Sequence, residues 1–212
     1  MYIAVAVFAL VSALSPAAEA SSFTTRASPS PTARVYGSAN PPYGFVRLCL
    51  RLPDLCQPNS VEMGRVTATP VALAELEHVN QAVNRAVAPV SDKEQFGIDE
   101  YWTLPTSGKG DCEEYVLEKR RLLMERRWPS GALLITVVID ENQQGHAILT
   151  ARMDTGDLTL DNKHDEIRPW YASPYEYIMR QSFVSPTAWV SLAPMKSNPP
   201  AVAADRNRSG SR

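Results

Sequence analysis

The chain has 212 residues with 21 basic and 23 acidic side chains, a formal net charge of −2. That balance excludes the basic excess of a nucleic-acid binder. The length suits one domain of ordinary size plus tails, large enough to bury a core.

Tyr2 to Leu14 is apolar apart from Ser12 and runs through Ser15 and Pro16 into Ala18-Glu19-Ala20. A short apolar stretch ending on a small-x-small site reads as a secretory signal peptide, residues 1–20, although no Lys or Arg precedes it. No second apolar run of about 20 residues follows, so an exported, non-membrane-spanning protein is expected. Residues 21–40, rich in Ser, Thr, Ala and Pro, read as a disordered linker, and 196–212 as a disordered tail. The folded domain is then 41–195.

Six residues separate Cys49 from Cys56. In an exported protein this pair is expected as a disulfide that leaves Cys112 free; two buried thiols are the alternative. Closing so small a loop adds about 2–3 kcal/mol in the chain-entropy model. No nearby His or Cys completes a zinc site.

From Pro70 to Val87, apolar residues at Leu73, Leu76, Val79, Val83 and Val87 follow helical spacing, and Pro89 ends the run. A loop with Gly97, Trp102, Pro105, Gly108 and Gly110 follows, in which Trp102 reads as a cleft wall or as ordinary packing. Asp111 to Arg127 predicts a second helix with Cys112, Tyr115, Val116, Leu122 and Leu123 on one stripe. Its basic residues Lys119, Arg120, Arg121, Arg126 and Arg127, interleaved with Glu118 and Glu125, read as a solvated face. The period then changes: strands are predicted over Ala132–Ile139, His146–Met153 and Leu158–Asp161, followed by a short strand or loop at Ile167–Tyr171 and a segment at Pro174–Ser182. Helices followed by an antiparallel sheet make an α+β fold.

Cys112 stands where the chain enters the second helix. Free N–H groups and the helix dipole there favour a thiolate and could hold an oxyanion; a small buried residue on the apolar stripe is the plainer reading. The chain has three histidines. His78 lies on the first helix and His164 in a polar loop, while His146 is delivered to a strand edge by Gln143-Gln144-Gly145. Asp161, ending the next strand, is the candidate to orient His146, with Asn162 as a spare. A two-residue turn at Thr155-Gly156 would pair Asp161 with Thr150, leaving it about 13 Å from His146. On that register the pair needs a wider turn or a bulge. Asp111, Glu113 and Glu114 crowd the cysteine and work against a thiolate. They read either as helix capping or as oxygen ligands of a hard cation such as calcium.

Gly110-Asp111-Cys112-Glu113-Glu114-Tyr115-Val116 with Lys119-Arg120, then Gly145-His146-Ala147, then Leu160-Asp161-Asn162 resemble the bacterial transglutaminase-like cysteine peptidases, including the LapG-type periplasmic adhesin proteases. Val79-Asn80-x-x-Val83-Asn84, Pro169-Trp170 and Arg180-Gln181-Ser182 share the likeness, which spans about residues 45–185. The resemblance implies a papain-like, transglutaminase-like fold and a Cys-His-Asp triad at Cys112, His146 and Asp161. It also implies a calcium site at Asp111 and Glu113, with Glu114 where the family pattern has Asp. In LapG-type members the substrate is a large surface adhesin whose cleavage releases the biofilm, and a cyclic-di-GMP-controlled inner-membrane receptor sequesters the protease. Those properties make a periplasmic location, a protein substrate and such a receptor the expectations here. Acyl transfer to an amine and a non-catalytic binding module are the alternatives.

Overall fold

A computed structural model describes residues 30–59 and 64–194; the expected signal peptide and C-terminal tail lie outside them. In chain order the elements are β1 (Gly37–Ala39), α1 (Tyr43–Arg51), α2 (Pro70–Ala86), β2 (Ala88–Pro89), α3 (Asp92–Phe96), β3 (Lys109–Gly110) and α4 (Cys112–Glu125). They continue as β4 (Leu133–Ile139), β5 (Gly145–Met153), β6 (Gly156–Leu160), β7 (Arg168–Pro169), β8 (Glu176–Gln181) and β9 (Trp189–Ser191). Seven strands form one sheet in the order β1-β9-β8-β4-β5-β6-β7, antiparallel at every pairing. The fold is α+β, as the sequence predicts.

Local chemistry explains the two long helices. Thr69 caps α2 by accepting from the Ala72 N–H, and Pro70 occupies the first turn, where a missing N–H costs nothing. Leu76, Val79, Asn80 and Val83 form its buried face. Helix α4 opens with the Glu114 carboxylate accepting from the Asp111 N–H, half of a capping box, and closes where Arg127 takes a positive φ of 70°. It packs on the sheet through Tyr115, Val116 and Leu123.

Strand β5 is buried along nearly its whole length, because both sheet faces are covered. Ala147, Leu149, Ala151 and Met153 join the helices in the main core. Ile148, with Val138, packs on the other side against Ala33, Tyr175, Tyr177 and Leu192. Two layers over one sheet leave the strand ends as the place where a side chain reaches both core and solvent.

Residues 30–40 depart from the predicted linker. Pro31 accepts from the Asp157 N–H at 2.7 Å, the Ala33 N–H donates to Asp157 Oδ2 at 3.1 Å, and β1 pairs with β9. Gly156 makes room for this crossing: its φ is +147°, and a Cβ there would lie 2.6 Å from the Pro31 carbonyl oxygen. Composition missed the segment because it is held by backbone bonds and one buried carboxylate rather than by large apolar side chains.

The basic face of α4 is also corrected. Arg121 does pair with Glu118 and Glu125, but Lys119 and Arg120 are buried. Arg120 donates to the Leu133 and Leu55 carbonyls at 3.1 Å each, which ties α4 to the sheet and to the turn after α1. Within the first predicted stripe, Leu73 is more than a third exposed, and Asn80 takes a buried position instead. The Cys49–Cys56 disulfide is present and Cys112 is free.

Candidate active site

Three segments bring the predicted residues to one end of the sheet. Cys112 is the first residue of α4, His146 the second of β5, and Asp161 the residue after β6. Cys112 and His146 line a single cleft of about 450 Å³ together with Glu100, Asp111, Glu113, Tyr115, Asp140, Asn162 and Lys163.

The register that brings Asp161 to His146 differs from both sequence alternatives. The turn holds two residues, Asp154 and Thr155, so Met153 pairs with Gly156 and Leu149 with Leu160. Asp161 therefore falls opposite Ile148, two residues from His146 on the same face. Diagonal neighbours on one sheet face lie within reach of long side chains, and His146 Nε2 meets Asp161 Oδ1 at 2.9 Å. No bulge or widened turn is needed.

This pair is buried and further restrained. The Tyr175 hydroxyl donates to Asp161 Oδ2 at 2.5 Å, its ring stands edge-on to the imidazole with centroids 5.6 Å apart, and the Lys163 N–H donates to Asp161 Oδ1 at 3.0 Å. Burial works to raise the Asp161 carboxyl, but the bonds from His146, Lys163 and Tyr175 outweigh it and hold the group down at about 2. With Nε2 held by Asp161, Nδ1 is the imidazole nitrogen left to exchange a proton. Asn162, the spare orienter, lines the cleft but makes no bond to His146 among the described residues.

Cys112 Sγ donates to Glu113 Oε2 at 3.0 Å, and burial, then the Glu113 carboxylate, push the thiol well above its usual range. The Ala147 N–H, next to His146 in the chain, works the other way on the sulfur. Around the cysteine lies a knot of carboxylates. Asp111, Cys112 and Glu113 form one group of converging donor atoms, and Asp92, Asp111 and Glu114 a second. Burial raises Asp92, Glu113 and Glu114, the last to about 8.

Residues 35–197 match the family model of the bacterial transglutaminase-like cysteine proteinases. The chain belongs to that family. It is accordingly a cysteine peptidase. No curated protein sequence matches it. Among solved structures, calcium-bound Legionella pneumophila LapG is 24% identical with a TM-score of 0.46, the match covering 54% of this chain and 66% of that one. The EGTA-treated form of that protein is 26% identical with the same TM-score, covering 54% and 64%. This proteinase thus spans about two thirds of the length of those chains.

Several residues around the proteinase's cleft escaped the sequence reading. Tyr175 gave no signal, because an aromatic in a loop reads as packing. Asp92 sits on a short helix 19 positions before Asp111, yet its N–H donates to Asp111 Oδ2 at 3.1 Å. Lys163, on the loop after β6, pairs with Asp140 at the end of β4 and closes one rim of the cleft. Trp102 is packing: it is buried and stands edge-on to Phe45 with centroids 5.8 Å apart. His78 and His164 line no part of the cleft. Among the described residues no helix is long and apolar enough to cross a membrane.

Proposed function

We propose that this peptidase hydrolyses peptide bonds through Cys112 as nucleophile, His146 as the proton carrier and Asp161 as the group that orients His146. The buried 2.9 Å bond between His146 and Asp161, at the edge of the cleft that holds Cys112, is the observation that carries the reading. His146 Nδ1 takes the thiol proton, the sulfur attacks the substrate carbonyl, and the proton passes to the leaving amine. Water then releases the acyl group with the same imidazole as base. Free N–H groups in the first turn of α4 suit the oxyanion.

The residues present also fit the calcium implied by the family resemblance. Asp111 Oδ1 is buried without a partner, and Asp92, Asp111 and Glu114 converge. We assign the cation to Asp111, the residue common to both groups of converging donors, with Glu113 from one group and Asp92 from the other as its neighbours. Glu114 fits less well, since its two oxygens already accept from the Thr103 and Asp111 N–H groups at 2.9 Å each; its main work is capping. When bound, the ion supplies positive charge that offsets the carboxylates beside the sulfur. Calcium added to chelator-treated protein is expected to raise the melting temperature by several degrees through preferential binding to the folded state. Asp111→Asn should remove that shift, and an unmoved melting curve in the parent protein would dispose of the site.

The family likeness extends the reading to an exported, periplasmic enzyme acting on a large surface adhesin in biofilm release, under a cyclic-di-GMP-controlled membrane receptor. The first test needs only a generic substrate. The full chain should cleave fluorescently labelled casein, and Cys112→Ala should abolish cleavage while leaving the circular dichroism spectrum unchanged. Cleavage by that variant would remove the proposed nucleophile.

A further inference from the structure

Beneath the cleft lies a group of buried polar side chains that the proposed chemistry does not use. Lys119 lies seven residues along α4 from Cys112, and a separation of two helical turns places both on the same helix face. Its side chain is fully buried, and Nζ has no hydrogen-bond partner among the described residues. Its ammonium stands over the Tyr115 ring, 5.8 Å from the centroid. A buried ammonium without a bonded counter-ion is costly enough that it calls for a reason.

The surroundings supply one. The carboxylates whose charge reaches Lys119 are Asp161 and Asp165, at the two ends of the loop after β6. Helix α2, packed beside α4, grips the same loop with two asparagines one turn apart. Asn84 Nδ2 donates to the Asp161 carbonyl at 3.0 Å and to Asp165 Oδ1 at 2.9 Å. Asn80 Nδ2 donates to the His164 and Asp165 carbonyls at 3.0 Å each. The loop that presents Asp161 to His146 is therefore gripped from behind by two amides, and the buried Lys119 lies on the helix packed beside them, where the charge of both loop carboxylates reaches it. A surface loop of similar length would need none of these, and an apolar residue at 119 would fill the space at lower desolvation cost.

We propose that Lys119 is a positioning residue for peptide hydrolysis: together with Asn80 and Asn84 it draws the 161–165 loop inward, so that the Asp161 carboxylate stays against Nε2 of His146. This rests on the triad reading above and adds a residue that touches neither substrate nor sulfur. The charged and titratable groups facing the ammonium are Asp161 and Asp165 from the loop and Tyr115 from its own helix, with His146 beyond Asp161. Burial brings Lys119 down from its ordinary value to about 7, against the pull of those two carboxylates. The ammonium is thus present below that pH and lost above it, and its hold on the loop follows.

Casein cleavage by the full chain, followed from pH 5 to 9, tests this. In the parent protein kcat should contain a step that descends as pH rises through about 7. Lys119→Met should lower kcat about tenfold at pH 6 with KM unchanged, and should erase the step. Asp165→Asn, which keeps an oxygen to accept from Asn84 Nδ2, should move the step to lower pH, because one of the two carboxylates that favour the ammonium is gone. A folded Lys119→Met protein with the parent's kcat and pH profile would overturn the proposal, as would an Asp165→Asn profile superimposable on the parent's. If Cys112→Ala still cleaves casein, it is the triad reading that fails, so the two failures are told apart.

Discussion

His146→Ala is expected to lower kcat on casein by about a thousandfold or more, with KM little changed. In the proposed mechanism the imidazole acts on the proton of the thiol and on that of the leaving amine, and no other histidine lines the cleft. Asp161→Ala should cost less, about a hundredfold, because the imidazole survives and loses only its orientation and the charge that supports its protonated form. The two effects should not add: once the imidazole is absent there is nothing for the carboxylate to orient, so the double variant should match His146→Ala alone. A double variant a hundredfold worse than His146→Ala would show Asp161 acting independently of the imidazole.

The same carboxylate carries a pH signature. Its folded value of about 2 lies below the ordinary value, so its contribution to stability, about 2 kcal/mol, is complete above the unfolded value and is lost as pH falls through about 2. Asp161 therefore stays ionised throughout the working range, and loss of activity between pH 6 and 4 belongs to other groups. Urea unfolding at pH 5 and at pH 2.5 should show Asp161→Asn losing less stability on acidification than the parent protein.

What could be read from the residue string divides along physical lines. Helices and central strands were legible because periodicity reports burial directly: α2, α4 and β4 to β6 fall within a residue or two of their predicted bounds. Cys112 and His146 were legible because a thiol at a helix start and an imidazole at a strand start are chemically unusual. Asp161 does meet His146, but through a register the sequence did not indicate, since a shift of one residue in a two-residue turn moves its partner from Thr150 to Ile148, and no side-chain pattern reports turn placement that finely. Strands β1 and β9, three residues each, and helix α1 passed unrecognised, because short edge elements are specified by partners distant in sequence. Lys119 and Arg120 misled for the opposite reason: a charged residue normally marks solvent, and these two are held inside by contacts that no local window contains.

Asp157 shows how much of the fold's stability sits in such contacts. Its sequence position, at the end of Asp154-Thr155-Gly156-Asp157, reads as a turn residue. In the fold its side chain is fully buried, with Oδ1 on Arg65 at 2.8 Å and Oδ2 on Arg180 at 2.8 Å. Oδ2 also accepts from the Ala33 N–H. Asp157→Ala is expected to destabilise the protein by about 3–5 kcal/mol, because it strands a buried guanidinium rather than merely deleting a bond. Arg180, almost wholly buried, bears that cost; Arg65, about a quarter exposed, turns to water. Replacing both members of the inner pair, as Asp157→Leu with Arg180→Met, should therefore recover much of the loss, a result that bond counting alone would not predict. Urea unfolding of the three proteins measures this, and a loss under about 1 kcal/mol in Asp157→Ala would show that the carboxylate contributes little net stability. The N-terminal segment offers an independent readout. With the Ala33 tether gone, trypsin should cut after the exposed Arg34 several times faster in Asp157→Ala than in the parent, well below the midpoint of global unfolding.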